Sequence, residues 1–265
     1  MGSGNERHCG RIIFTMFFDI INSGSKGNAT LVFTKEATIL IDMGISIKVI
    51  EDELNKFNKS ITDIDAVLIT HNHADHYRNI KTFSPKKMYS LEGTIPGSLS
   101  NVINIFEPFK IKDIEITSFP TSHDATNPCG YLLKSEEETL LYMTDTGTYL
   151  SSNTPYIKNP TYLIIESNHD IQKLLHTNRP MELIQRIMSD YGHLCNEDSA
   201  FAAIEIIGDK TKEIVLAHLS EEANTPELAL EAYKKVFEYA GVNINKYKVR
   251  CANQHIPLKG GDYEN

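Results

Sequence analysis

Cysteine is scarce and unpatterned in this chain. Of its 265 residues only Cys9, Cys129, Cys195 and Cys251 are cysteines, and no two are spaced as C-x-x-C. No disulfide framework is readable, and reduced thiols in a cytoplasmic protein are expected. Cys195, close to His193, is expected at most to line a pocket and not to act as a nucleophile. Long apolar runs are also missing. The run Ile12 to Ile21 is broken by Asp19 and leads into polar Asn22-Ser23-Gly24-Ser25. It is too short to span a bilayer and has no small-residue cleavage pattern, so neither a membrane span nor a secretory signal is expected. Positive charge is in deficit, with a formal net charge of -9. That argues against a protein that coats nucleic acid nonspecifically. It does not exclude a nuclease, because bound divalent ions bring positive charge to where a phosphate would sit.

Repeats, low-complexity stretches and linkers are absent as well. Residues 1–15 read as a peripheral N-terminal extension or cloning remnant, with Met16 a natural first residue. Residues 16–265 read as one domain, and a hydrophobic content of 41% is enough for a substantial core.

Strands and helices alternate along that domain. Phe17–Ile21, Ala29–Thr34, Thr38–Ile41 and Ala66–Thr70 read as strands, with a helix over Ile47–Phe57 whose apolar face is Ile47, Ile50, Leu54 and Phe57. Ile111–Phe119 reads as one strand. Gly130–Lys134 and Thr139–Met143 read as a hairpin with Glu136-Glu137-Glu138 at a solvated tip. Thr161–Ile165 and Glu213–Leu216 are further strands. Helices are expected over Pro180–Tyr191, Asp198–Ile207 and from Pro226, the last capped by Thr225 and ended by Gly241.

The most informative segment is His71-Asn72-His73-Ala74-Asp75-His76, at the mouth of the strand Ala66–Thr70. Three imidazoles and a carboxylate crowded there are costly as plain structure, and metal binding resolves the cost. His71 and His73 alternate along an extended segment and can face one ion. Asp75 and His76 follow where the chain turns and can reach a second. Neutral imidazole and carboxylate suit zinc, manganese or iron. The motif strand, then Asp, Glu or His, then loop recurs at Asp42, His123, Asp145, Glu166 and His218. Side chains at the ends of several strands let a rigid sheet hold a metal cluster in fixed geometry.

His71-x-His73-x-Asp75-His76, followed by His123, Asp145 and His218, resembles the metallo-β-lactamase superfamily. The blocks Asn22–Ala29, Ser122–Ala125, Thr144–Gly147, Glu166–Asp170, Gly192–Asn196, Leu216–Ser220 and Asn224–Ala229 resemble its YycJ/WalJ exonuclease branch. The resemblance implies an α/β fold, a four-layer αβ/βα sandwich with two divalent metals, zinc or manganese with iron also compatible, at one sheet edge. It implies that His71, His73 and His123 hold the first metal, that Asp75, His76 and His218 hold the second, and that Asp145 bridges them. Asp42 is expected to orient a ligand from behind. The branch implies a DNA substrate, exonuclease action from the 5′ end and a place in DNA repair.

Phosphodiester hydrolysis by such a site uses a metal-bound hydroxide, with Asp75 or Asp145 orienting the water. His193 is the expected proton donor and Glu166 its orienting partner. Asn168 and Asp170 suggest a hydrogen-bond network behind the site, and for His169 between them a structural and a catalytic role are both open. The glycines of the Ser23–Asn28 loop are most simply turn geometry, since no P-loop ending follows, though Asn28 and its neighbours can touch substrate. His8, His176 and His255 read as surface residues; Lys86, Lys87, Arg179 and Arg186 can meet a nucleic-acid backbone, with a solvated face the simpler reading of each. The alternatives are a phosphodiesterase for a small substrate such as a cyclic nucleotide, which the acidic surface would suit, a thioester or lactam hydrolase, and a non-catalytic metal-binding module. Oligomeric state is not readable.

Overall fold

The computed structural model describes residues 16–263. The first sheet begins with β1 (Phe17–Asn22), β2 (Ala29–Phe33), β3 (Thr38–Ile41), β4 (Ala66–Leu68), β5 (Met88–Leu91) and β6 (Asn101–Ile103), side by side in chain order. The second holds β7 (Phe109–Ile111), β8 (Ile114–Pro120), β9 (Cys129–Lys134), β10 (Thr139–Met143), β11 (Tyr162–Glu166), β12 (Glu213–Ala217) and β13 (Lys248–Cys251), again in chain order. The last strand, β14 (Leu258–Gly261), returns to the first sheet and pairs antiparallel with β1. Each sheet changes character midway. β14 to β3 and β7 to β10 pair antiparallel, whereas β3 to β6 and β10 to β13 pair parallel.

Three apolar layers result from alternating side chains on strands buried on both faces. Phe18, Ile20, Val32 and Ile39 meet Ile116, Tyr131, Tyr142 and Ile164 between the sheets. Phe17, Ile21, Leu31 and Leu40 face outward onto Ile50 and Leu54 of α1 (Ile47–Asn55). Four short or longer helices follow: α2 (Ala74–Tyr77), α3 (Thr154–Ile157), α4 (Ile171–Leu175) and α5 (Met181–Ile187). On the far side, Leu163, Ile165, Ile214 and Leu216 pack under Ala203, Tyr233 and Phe237 of α6 (Asn196–Ile206) and α7 (Pro226–Tyr239). Helix, sheet, sheet, helix is the expected four-layer order.

Several expectations need correction. Ile111–Phe119 is not one strand. The chain reverses between β7 and β8 through Lys112, whose φ is 51°, so Ile111 pairs with Ile114. A Lys-Asp turn carries no glycine or asparagine to announce itself. The helix expected over Pro180–Tyr191 stops at Ile187, and a turn from Ser189 to Gly192 follows. Glu138 is not at a solvated tip. It is buried and accepts hydrogen bonds from the Tyr162 hydroxyl at 2.5 Å and from Lys212 Nζ at 2.8 Å. The readings of residues 1–15, His8 and Cys9 lie outside the described residues.

Candidate metal centre

The carboxyl ends of β3, β4, β8, β10, β11 and β12 lie along one edge of the sandwich and deliver Asp42, His71, His123, Asp145, Glu166 and His218. Asp42, Asp145 and His218 leave their strands in the left-handed region, with φ of 59°, 56° and 55°. That conformation is uncommon outside glycine and concentrates at functional sites. Here it swings each side chain off the strand direction. Within α2, one turn brings Asp75 and His76 to the same edge.

The ligand atoms fall into overlapping groups. His71, His73 and His123 each offer one within 4.8 Å of the others, and so do Asp75, His76 and His218. Asp145 falls in a third group with His71 and His76, and in a fourth with Glu166, His193 and His218. It therefore stands between the first two sets.

Outer partners aim the imidazoles. His76 Nδ1 lies 2.7 Å from Asp42 Oδ2, and His218 Nδ1 lies 2.9 Å from Glu166 Oε1. His123 Nδ1 lies 2.9 Å from the Gly192 carbonyl, and His71 Nδ1 lies 3.0 Å from Thr70 Oγ1. Engaging Nδ1 leaves Nε2 of each ring for the interior, the arrangement typical of metal-bound histidine. Three buried atoms there lack a hydrogen-bond partner among the described residues: His71 Nε2, His218 Nε2 and Asp145 Oδ2. An unsatisfied buried polar atom costs about 1–3 kcal/mol. His71 and His218 each share a ligand group with Asp145, an arrangement that fits divalent cations, and the nitrogen–carboxylate donor set agrees.

The electrostatics point the same way. Burial pushes the Asp145 carboxyl up, but His218 and His76 outweigh it and hold it below the usual carboxylate range. Burial also opposes ionisation of Asp75, yet its hydrogen bond and charge interaction with His76 bring it to about 2. Burial alone would lower His218, and Asp145 and Glu166 instead raise it to about 9. His76 is driven well above its usual value, against burial, by Asp42 and Asp145. His71, buried and facing other imidazoles, is pushed well below. The carboxylates thus create a demand for positive charge that protons meet when no cation does.

The Ser23–Asn28 loop braces this edge. Asn28 Nδ2 lies 2.9 Å from His76 Nε2 and donates to Asp75 Oδ2 at 3.4 Å, and the Asn28 amide donates to the Asp75 carbonyl at 2.8 Å. Ser23 Oγ accepts from the His218 amide at 2.8 Å. Its glycines make a turn, and the turn also clamps the site. Gly44 is needed for the same packing, because a Cβ there would lie 1.5 Å from the Asp75 carbonyl oxygen.

His193 is half-buried, with Nδ1 2.7 Å from Glu166 Oε1 and 3.9 Å from Asp145 Oδ1. Asn168 Nδ2 donates to the His218 carbonyl at 2.9 Å. His169 sits deeper: its carbonyl accepts from the Asn196 amide, its Nδ1 is buried without a partner, and burial lowers it to about 4. Cys195 is buried, and its sulfur accepts from the Asp198 amide at the start of α6. His176 and His255 are exposed, as expected.

A cleft of about 490 Å³ opens over the cluster, with Asp75, His193, Leu183, Ser220, Arg179 and Arg186 among its lining. The last two were expected on solvated faces. The spacing of Leu183, Arg186 and Ile187 along α5 places all three on one helix face. Asp124 was also overlooked as a partner: it binds Arg186 through Oδ2, and its Oδ1 lies 3.5 Å from His123 Nε2. Its position directly after His123 was the available signal.

Residues 37–218 match the beta-lactamase superfamily domain, a span running from just before Asp42 to His218. The chain is 34% identical to exodeoxyribonuclease YycJ of Bacillus anthracis, covering 92% of this chain and 98% of the relative. It is 36% identical to exodeoxyribonuclease WalJ of Streptococcus pneumoniae, covering 80% and 84%. The metallo-beta-lactamase fold protein YhfI of Bacillus subtilis superposes with a TM-score of 0.67 at 18% identity, covering 92% and 99%, which speaks to the fold. With the two-sheet sandwich, the histidine–aspartate edge and these relatives in agreement, the chain belongs to the metallo-β-lactamase superfamily, beside YycJ and WalJ, and is a metal-dependent hydrolase.

Proposed function

We propose that this protein is a two-metal exodeoxyribonuclease acting from the 5′ end of DNA in the cytoplasm, in DNA repair. The observation that carries the reading is the pair of ligand triads with Asp145 between them and unpartnered nitrogens and oxygen aimed inward. The names of the two relatives support the nuclease class, and the branch resemblance supports the polarity and the setting. In this reading His71, His73 and His123 would hold one cation and Asp75, His76 and His218 the other, with Asp145 shared between the two sets. Two such ions, zinc or manganese, would supply activation of water at neutral pH and charge stabilisation on the phosphoryl oxygens.

The chain's own groups do the rest. The free oxygen of Asp75, at the cleft wall, orients the attacking water. Glu166 accepts from His193 Nδ1, which turns Nε2 toward the cleft and lets it give a proton to the departing oxygen as the P–O bond breaks. Asp42 and Asn28 fix His76, and Asn168 fixes the backbone at His218. His169 supports the segment between Glu166 and α6 from behind.

Manganese-loaded and zinc-loaded protein incubated with 5′-labelled linear duplex DNA, and separately with 3′,5′-cyclic nucleotides, tests this, with Asp75→Ala as the blank. Release of labelled mononucleotide from DNA is expected. Turnover of cyclic nucleotide alone would replace the nuclease with a small-molecule phosphodiesterase. Bound metal with no turnover of either would leave a binding module.

A further inference from the structure

Two arginines flank the metal residues, each tethered beside a different triad. Arg186 Nε is held by Asp124 Oδ2, and the other oxygen of Asp124 lies 3.5 Å from His123 and 4.0 Å from His73. Arg179 Nε donates to Glu222 at 2.9 Å, and its Nη2 donates to Ser220 Oγ at 3.4 Å, two residues past His218. Both line the cleft. Among the described residues Arg186 has no partner at either terminal nitrogen, and Arg179 has none at Nη1. The tethers fix each guanidinium in place and leave donors free. Such a pinned fork is suited to a phosphate, because its geometry is set before the ligand arrives. The net charge of -9 makes the placement more telling. In an acidic protein, two of the cations border the one cleft where a phosphodiester would react.

We propose that Arg186 and Arg179 clamp the phosphates on either side of the scissile one, so that the site takes an oligonucleotide strand rather than a mononucleotide or cyclic nucleotide. The proposal rests on the nuclease reading and narrows its substrate class. A scissile phosphate at the shared Asp145 has neighbours on both sides when the strand carries a 5′-terminal phosphate, which fills the 5′-side position at the first bond. Arg186 stands on the side of His73 and His123, and Arg179 on the side of His218. Asp124 and Glu222 act as positioning residues, holding the forks rather than touching substrate.

The test compares Arg186→Gln and Arg179→Gln with wild type, all manganese-loaded, on a 5′-phosphorylated single-stranded decanucleotide and on bis(p-nitrophenyl) phosphate, which has a single phosphate. Lys86→Gln, an exposed cation outside the cleft lining, is the charge control. Bound manganese is measured for every variant. The oligonucleotide-to-nitrophenyl ratio of kcat/KM is expected to fall at least about tenfold in each arginine variant, mainly through KM, with metal content kept. The slope of log KM against log salt should become shallower by about 0.7 per arginine removed. Wild type cutting the oligonucleotide while both variants keep its ratio and slope would overturn the clamp alone. Wild type hydrolysing the nitrophenyl ester but not the oligonucleotide would overturn the nuclease reading and the clamp with it.

Discussion

Glu166 shows how one buried residue serves two others. Its Oε1 accepts from His193 and His218, and its Oε2 accepts from the Thr146 and Leu194 amides. Burial works against the charge, but the two histidines outweigh it, and the carboxyl is held well below its usual range. His193 and His218 are therefore aimed by one anion. His193→Ala is expected to keep both metals and slow turnover by about a hundredfold or more, the usual loss with a general acid. Metal analysis and kcat together check this, and an unchanged kcat would remove His193 from the mechanism. Asp19 presents the opposite case. It lies on the outer face of β1 with both oxygens buried and without a hydrogen-bond donor. Burial, then the charge of Glu53, raises it from 3.8 to about 7, against the pull of Lys259 and Lys56. Since the folded state holds this proton more tightly than the unfolded chain, stability is fullest below about pH 4 at this locus and is lost as pH rises through about 7. At about 1.4 kcal/mol per pH unit the effect is at most on the order of 4 kcal/mol. Asp19→Asn should melt close to wild type at about pH 4 and increasingly above it as pH rises toward 8. A gap that does not widen with pH would show that the residue is ionised and satisfied in the fold.

At the scale of elements, precision at the site comes from short segments locked by long-range contacts. The α2 turn that carries Asp75 and His76 spans only four residues. Alone it has no stability, because helix nucleation is costly. It is held by Met43, whose amide donates to the His76 carbonyl at 2.7 Å, by Asn28 on the Asp75 carbonyl, and by the close approach of Gly44. Gly44→Ala should therefore displace the turn. Occupancy of the cation held by Asp75 and His76 is expected to fall at least about tenfold in affinity, as when a supporting contact of a ligand is lost. Titration with manganese, followed by isothermal calorimetry, reads this; wild-type affinity would show that the turn yields without moving its ligands. The same segments mark where the sequence was legible. The hexapeptide packs three imidazoles and a carboxylate into six residues, so the metal edge is visible without a fold. The strands β1 to β4 and β9 to β12 show as apolar runs, apart from a residue or two at their ends. The β5 and β6 strands are short and fall among turns, and the β7–β8 reversal at Lys112 has no turn residue, so local pattern misses them. The tether between Arg186 and Asp124 joins positions 62 apart, and no local spacing announces such a contact.

Across the whole molecule, the metal edge and the cores occupy different places. Three of the four apolar clusters among the described residues lie between and outside the sheets, the small fourth one of Leu174, Ile184, Ile187 and Ala223 reaches the cleft wall, and the ligand groups stand at the carboxyl ends of the strands. The fold consequently does not need the ions to form a core, unlike a zinc finger, where the metal is the core. Metal removal should still cost stability. His71 Nε2, His218 Nε2 and Asp145 Oδ2 would be left buried without partners, and Asp145, Glu166 and Asp75 would face one another with only protons to compensate. Any ligand that binds the folded state alone stabilises it by RT ln(1 + [L]/Kd), about 2.7 kcal/mol at a hundredfold excess over Kd. For a chain of this length 1 kcal/mol moves Tm by about 2–4 °C. Chelated protein is thus expected to keep its far-ultraviolet circular dichroism and melt roughly 5–10 °C lower per ion lost, and added manganese should restore the transition. Competition between protons and cations for His76 and His218 makes the restoration weaker as pH falls below neutral, since those rings bind protons more strongly than usual when no cation is present. Loss of secondary structure on chelation would instead place the ions among the determinants of the fold, and the separation of core from edge would then be only geometric.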